Sequence, residues 1–474
     1  MKNSRMTDVI YDYFTSRILF GYFQQGDQLP SVNYICRQFQ VSALTVRSVL
    51  ARMRQEGYIE TTERRNSTVT YRPDERQEQL YRYTLLSRKE GMDDMCRNSE
   101  ILFEPISRFY LQKQTKESIE QIRYQMKKRK GHPAKQIIMF YAEAMRPMNN
   151  PLALNLYWEM VRYLRTPYLQ RPANFEDASA QAEDHIEQML LLIEAGNTAK
   201  AVESMQIFNK DVTQRFFQSL SIILDIKQPV EQIPFQLQVY WDHPQLCYTL
   251  AAEMMSKIDA GKYQEDKLLP SCQSLAQEFG VSLITMRRTL ELLNDISVIE
   301  TQNGLGARVI SWDHASLPNY SHPQIRKSLL LFLQAMQIST LTCKNVAAHT
   351  LSSLDDEGFQ TLERRMEHHI KGRRAFLIGG ICLRFIWEKS PSAFIREVYR
   401  QLYHLLLWGH ALHIFCQQPA TNQLNEVYYT RLKEALHRRD GKDFSSGLSE
   451  LMEFNFQSSR NLLLKFGFSE DQLV

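Results

Sequence analysis

The sequence predicts a mainly α-helical protein in which one module, three helices and a β-hairpin, occurs twice, each copy leading into an all-α bundle. Three observations carry that prediction. Leu29-Pro30-Ser31 recurs as Leu269-Pro270-Ser271, and Phe39-x-Val41-Ser42-x-x-Thr45-x-Arg47 recurs as Phe279-x-Val281-Ser282-x-x-Thr285-x-Arg287. Ile59-Glu60-Thr61 returns as Ile299-Glu300-Thr301 and Val69 as Val309, always 240 residues later. Outside these stretches, apolar residues recur at helical spacing with no sustained alternation. Finally, 474 residues exceed the size at which one core stops growing, so several domains are expected.

Each element follows from local chemistry. Residues 7–20 place Val9, Ile10, Tyr13, Phe14, Ile18 and Leu19 on one helical face, and Gly21 ends the run. Gly26-Asp27 makes a turn, and Ser31 after Pro30 is an N-cap for a short helix with Ile35 and Phe39 inward. Ser42 caps a third helix whose stripe is Val46, Val49, Leu50 and Met53, stopped at Gly57. Residues 58–60 and 67–71 read as two short strands around a polar tip.

This is a winged helix-turn-helix, expected at 1–72 and again at 240–312. Residues 73–91 and 229–239 are read as linkers, with an all-α domain at 92–228 between them; 313–324 is a further linker and 325–474 a second all-α domain. Landmarks of the first bundle recur in the second. Asn150-Pro151-Leu152 answers Ser390-Pro391-Ser392 at 240, and Leu191–Ala201 answers Leu436–Ser446 at 245, so the whole half reads as duplicated.

Composition narrows the class. The net charge of +4, 43% hydrophobic and 23% charged residues suit a globular protein and leave nucleic-acid binding to local charge. Seven cysteines, at 36, 96, 247, 272, 343, 382 and 416, are scattered without a C-x-x-C, which fits thiols in a reducing cytoplasm. The apolar runs Ala375–Trp387 and Leu402–Phe415 are interrupted by Arg384 and by His404, His410 and His413, so no membrane span is expected. The N-terminus lacks a signal-peptide core.

Leu-Pro-Ser, then Val-Ser-x-x-Thr-[Val/Met]-Arg, then a wing closing on valine, resembles the DNA-binding module of GntR-type bacterial transcriptional regulators. The helical regions resemble the FadR-like branch through Leu102-Phe103-Glu104-Pro105, Phe140-Tyr141, Asn150-Pro151-Leu152 and Glu194-Ala195-Gly196-Asn197. The resemblance implies a non-enzymatic, cytoplasmic, effector-responsive transcriptional regulator on a double-stranded DNA operator. Members of the family carry one such unit per chain and act as homodimers. Two units in one chain would make either a pseudo-dimer or a dimer of tandem chains.

The same resemblance names the contact positions. They are Ser31, Asn33, Ser42, Thr45, Arg47, Arg64 and Arg65 in the first copy, and Ser271, Gln273, Ser282, Thr285, Arg287, Arg288, Gly304 and Gly306 in the second. Asn33 and Gln273, and likewise Ala43 and Leu283, stand where the family has arginine; Arg64 and Asn66 replace its wing glycines. Ala43 and Leu283 offer only apolar contact, as to a thymine methyl. Charge separates the copies. Residues 1–72 hold ten Lys/Arg and six Asp/Glu, net +4, whereas 241–312 hold six and nine, net −3, so the first module is the stronger electrostatic binder.

Many FadR-like sensor domains hold a metal through Asp and His. Here the position after the family's Phe is Tyr141, its late His falls at Phe208 or Asn209, and His185 alone remains. Neither a metal nor another cofactor is therefore expected, and an apolar or acyl-type effector beside Tyr141 and His185 is favoured. Two other classes compete. An aminotransferase-type fusion needs βα alternation and Gly-rich loops, which 320–474 lacks. A protein-interaction scaffold with degenerate winged helices would not bind DNA in a salt-dependent way.

Overall fold

The computed structural model describes residues 7, 10, 11, 13–15, 18, 23, 25–39, 41–60, 67–71, 83–128, 133–164, 175–223, 230–239, 246–259, 261–302, 305–311, 323–371, 377–412 and 419–474. The chain forms two compact units, one of Met1–Cys96, Ser107–Met148 and Leu154–His243, the other of Arg97–Ile106, Asn149–Ala153 and Pro244–Val474. The expected fold class holds: the described chain is mainly helical, with two small sheets.

In the first winged module α1 spans Val32–Phe39 and α2 Ala43–Gln55. The Ser42 Oγ accepts the Thr45 N–H at 3.2 Å, satisfying a donor that the first turn leaves without a helical partner. Thr45, Val46, Val49, Leu50 and Met53 face inward. They join a core with Ile10, Phe14, Ile18, Leu29, Ile35, Ile59 and Val69. Gly57, at φ +80°, reverses the chain, while Gly57 N–H bonds to Arg54 and Tyr58 N–H to Met53. Strands β1 (Ile59–Glu60) and β2 (Thr68–Val69) then pair antiparallel, Ile59 opposite Val69. Of the helix expected over 7–20, residues 10, 11, 13–15 and 18 are helical, and the rest but Thr7 lie outside the described residues.

The first bundle follows, with α3 (Lys89–Gln112, containing Pro105), α4 (Lys116–Lys128), α5 (Pro133–Ala144), α6 (Pro151–Leu164), α7 (Phe175–Glu194) and α8 (Thr198–Ile223). Of the stretch read as a linker over 73–91, residues 83–86 and 89–91 are helical. Residues 230–239, read as a linker, are fastened to the first bundle. Tyr163 donates to the Ile233 carbonyl at 2.6 Å and Asn155 to Gln238 at 2.8 Å, with Phe235 and Leu237 buried.

The second half repeats the order. Its winged module comprises α9 (Leu246–Asp259), α10 (Cys272–Glu278), α11 (Leu283–Asp295), β3 (Ile299–Gln302) and β4 (Gly306–Val309). Its bundle comprises α12 (Pro323–Leu351), α13 (Asp356–Lys371), α14 (Ile378–Lys389), α15 (Ala393–Leu406), α16 (Pro419–His437) and α17 (Gly441–Lys465). Asp259 ends α9 and accepts from Arg384 at 3.3 Å and from the Tyr403 hydroxyl, fastening α9 to α14 and α15. Leu19 holds the corresponding place in the first copy and cannot make that bond.

Cap geometry corrects the register of the duplication. Thr115 caps α4 and Asp355 caps α13, still 240 apart. Asn150, however, accepts the Ala153 N–H, and its counterpart is Ser392, which accepts the Ile395 N–H; that is 242, not the 240 of the Asn-Pro and Ser-Pro pairs. Gly196 and Arg439 both take positive φ (+72° and +56°) at the turns before α8 and α17, a spacing of 243 rather than 245. Side-chain capping and left-handed turns fix helix ends, whereas similar residue pairs do not.

Candidate nucleic-acid interface

The two modules superimpose in their hydrogen bonding. Leu29 N–H bonds to Ser67 at 2.8 Å and Leu269 N–H to Ala307 at 2.7 Å. Val69 and Val309 N–H return to Asp27 and Lys267, and the bridges Gln28–Thr68 and Leu268–Arg308 add a third strand-like edge. The helix stop after α11 repeats that after α2, with Ser297 at φ +58° where Gly57 stands. Short, buried backbone ladders of this kind hold α2 and α11 in the same attitude to their hairpins.

Within each module most of the expected contact residues are exposed. Ser31 Oγ caps α1 by accepting from Tyr34 N–H at 3.3 Å, and Ser271 Oγ caps α10 by accepting from Ser274 N–H at 3.1 Å. Asn33 and Gln273 are exposed two residues beyond those serines. Ser42 and Ser282 are exposed caps, and Arg47, Arg287 and Arg288 point outward from the next turn. Thr45 and Thr285 go the other way. They are 6% and 7% exposed, with hydroxyls 2.9 and 2.8 Å from Ser42 and Ser282. Those threonines hold the caps. Gly306, at φ +111°, opens β4 in a conformation that favours glycine. Arg64, Arg65 and Gly304 lie outside the described residues.

Electrostatics separate the copies further than charge counting did. Glu278 gathers Lys262, Lys257 at 3.1 Å and the Tyr263 hydroxyl at 3.1 Å, and the bond from Lys262 foremost holds its carboxyl down at about 2. Arg308 pairs with Glu300 across the hairpin at 2.9 Å. Three of the six cations of the second module are thus engaged internally, which a residue count does not reveal. In the first module Arg52 bonds to Glu56 at 3.0 Å and lies 3.8 Å over the Tyr11 ring.

Sequence reasoning singled out Leu283 but passed over its apolar companions Leu44 and Ile284. Leu44 is 75%, Ile284 64% and Leu283 39% exposed, all in the first turn of α2 or α11. The available signal was position. A Ser cap followed by inward Thr and Val or Met leaves the two intervening residues no core to enter.

In the first bundle the two expected effector residues meet neighbours on one helix. The Tyr141 hydroxyl donates to Asn209 at 3.0 Å, and the His185 ring stacks on Phe208 at 3.9 Å and 8°. His185 is buried, its Nε2 has no hydrogen-bond partner among the described residues, and burial pushes its pKa down to about 4. Burial likewise drives the Tyr141 hydroxyl well above its usual range. Among the described residues, no group of three or more His, Cys, Asp or Glu could hold a metal ion, and no helix is long and apolar enough to cross a membrane.

The family model for bacterial regulatory proteins of the gntR family matches the chain twice, over residues 6–69 and 248–309. Among solved structures, Streptococcus agalactiae GntR is 14% identical, with 44% of this chain and 99% of that one covered and a TM-score of 0.22. E. coli McbR/YncC is 16% identical, with 46% and 98% covered and a TM-score of 0.24. Lar, described as controlling the expression of the Listeria monocytogenes agr system, is 14% identical, with 48% and 100% covered and a TM-score of 0.22. No curated protein matches the chain.

Proposed function

Taking the chain as a DNA-binding regulator of the GntR family that carries the family's winged module twice, we propose that it reads an operator of two half-sites through α2 and α11 and changes its grip when an effector binds the first bundle. The observation that carries this is the repeated surface: a serine-capped recognition helix with an exposed arginine one turn in, at Arg47 and at Arg287. In a winged helix-turn-helix that helix lies in the major groove, where arginine bonds to guanine in two places and the helix N-terminus and cap hydroxyls meet phosphate. The contact set comprises the exposed residues above with Arg64, Arg65 and Gly304 of the wings. Thr45 and Thr285 act through their serines.

One chain supplies both reading heads, as a pseudo-dimer. Support comes from the duplication and from the second unit, which includes residues 149–153: there Asn150 donates to the Gln334 carbonyl at 3.0 Å and to Gln337 Oε1 at 2.8 Å. The effector is an apolar or acyl-type molecule with one polar group. It would lie between α5, α7 and α8, where Nε2 of His185 is buried without a hydrogen-bond partner among the described residues. Ligand bound more tightly to one packing of these helices would shift operator affinity by that difference. The thiols of Cys36, Cys96, Cys247, Cys272, Cys343 and Cys382 suit a reducing cytoplasm.

Selection of bound DNA from a random pool by the full chain tests this reading. Recovery of a site with two related half-sites about one helical turn apart, with binding that weakens steeply with salt, supports it. Failure to retain any duplex at low salt would overturn it and leave the modules as protein-binding elements.

A further inference from the structure

Leu44, Leu283 and Ile284, at the starts of the recognition helices, stay out of the buried core. Ser42 and Ser282 fix where α2 and α11 begin, so residues 43 and 44, and 283 and 284, form the first turn. The inward positions of that turn are taken by Thr45 and Val46 and by Thr285 and Met286, all buried. Leu44, Leu283 and Ile284 therefore stand in water at 75%, 39% and 64% exposure, beside outward Arg47, Arg287 and Arg288. Leaving branched apolar side chains in solvent forgoes burial free energy unless a partner covers them. The flanking arginines make that partner polyanionic.

We infer that Leu44 in the first module, and Leu283 with Ile284 in the second, are specificity-determining residues that read the C5-methyl groups of thymine in the major groove. This rests on the DNA-reading function proposed above. The thymine methyl is the one apolar group that unmodified base pairs present in that groove, and no hydrogen bond from leucine or isoleucine can distinguish the remaining bases. The arginines lie three and four residues further on, close to one helical turn. A turn rises about 5.4 Å against about 3.4 Å per base pair, so the guanine read by Arg47 or Arg287 falls roughly one to two base pairs from the methyl. Each half-site thus contains thymine close to guanine. The second module presents two branched side chains where the first presents Ala43 and Leu44, and three of its cations are engaged by carboxylates, so methyl contact makes up more of its discrimination.

Uracil substitution removes the methyl and nothing else. In a duplex selected by the full chain, each thymine is replaced in turn by deoxyuridine and the affinity measured. A loss of about three- to fivefold per contacted methyl is expected, at one or two positions beside a guanine in each half-site. Leu44→Ala should abolish uracil sensitivity in the half-site of the first module alone, and Ile284→Ala should reduce it in that of the second. These side chains are exposed, so an unchanged thermal melt will accompany both variants. Affinity indifferent to every thymine-to-uracil change would overturn the inference while leaving DNA binding standing, as would sensitivity that both variants retain. An Ile284→Ala variant whose uracil profile is unchanged would overturn the assignment of Ile284. Absence of duplex binding altogether would instead defeat the reading on which the inference rests.

Discussion

The two winged modules have one backbone and two electrostatic characters. Ladders, caps, helix stops and wing registers agree at a constant offset of 240. Yet among the described cations of the first module Arg47 and Arg54 are exposed and Arg52 pairs with Glu56, whereas the second folds Lys257, Lys262 and Arg308 into carboxylate contacts and is anchored to its own bundle through Asp259. The bundles diverge the same way. At the spacing of 243, the counterparts of His185, Phe208 and Asn209 are Tyr428, Leu451 and Met452, the last two fully buried. The positions that answer Tyr141, at 381–383, are Ile381, Cys382 and Leu383, all buried. Polar contacts stand at these positions in one bundle, and apolar core takes most of them in the other. Duplication preserves backbone geometry because buried ladders tolerate little change, while surface charge and the side chains inside a bundle drift without unfolding the domain.

The largest expected effect lies at the arginines. Arg47→Ala should weaken operator binding by about 10- to 100-fold, the worth of a bidentate guanine contact, and Arg287→Ala by less. Equal losses in a titration of retarded complex would break the asymmetry. Next is acid stability of the first bundle. His185 has its folded pKa near 4, below the unfolded value of about 6.5, so its stabilising share is complete above about pH 6.5 and is lost as the pH falls towards 4. At pH 5 this amounts to about 2 kcal/mol, and His185→Phe should flatten the dependence in urea melts at pH 7 and 5.

Smaller effects probe the fastening of the second module and the helix stop of the first. Asp259→Asn should lower the stability of α9 by about 1 kcal/mol, since Arg384 retains Glu388 at 2.9 Å, and hydrogen exchange on Leu246–Asp259 should quicken. A protected α9 in that variant would show the anchor to be dispensable. Gly57→Ser imposes on the first module the left-handed serine that Ser297 already adopts, and it should cost about 1 kcal/mol by chemical denaturation.

The sequence by itself determined the duplication, the winged modules, the order of helices and the charge difference. Each of these is local: a cap three residues before its acceptor, a stripe every three or four residues, an identity repeated at fixed distance. Tertiary structure decided which of the named residues are exposed and which are buried. It turned Thr45 and Thr285 inward, placed Tyr141 and His185 against adjacent residues of α8, neutralised half the cations of the second module and left Leu44, Leu283 and Ile284 in solvent. It also moved the register of the second bundle to 242 and then 243, because left-handed turns and capping side chains, and not look-alike pairs, end helices. The physical reason is range. Backbone propensity and periodicity act over a few residues, whereas burial and ion pairing depend on partners such as Lys257 and Glu278 that approach only when the chain has closed.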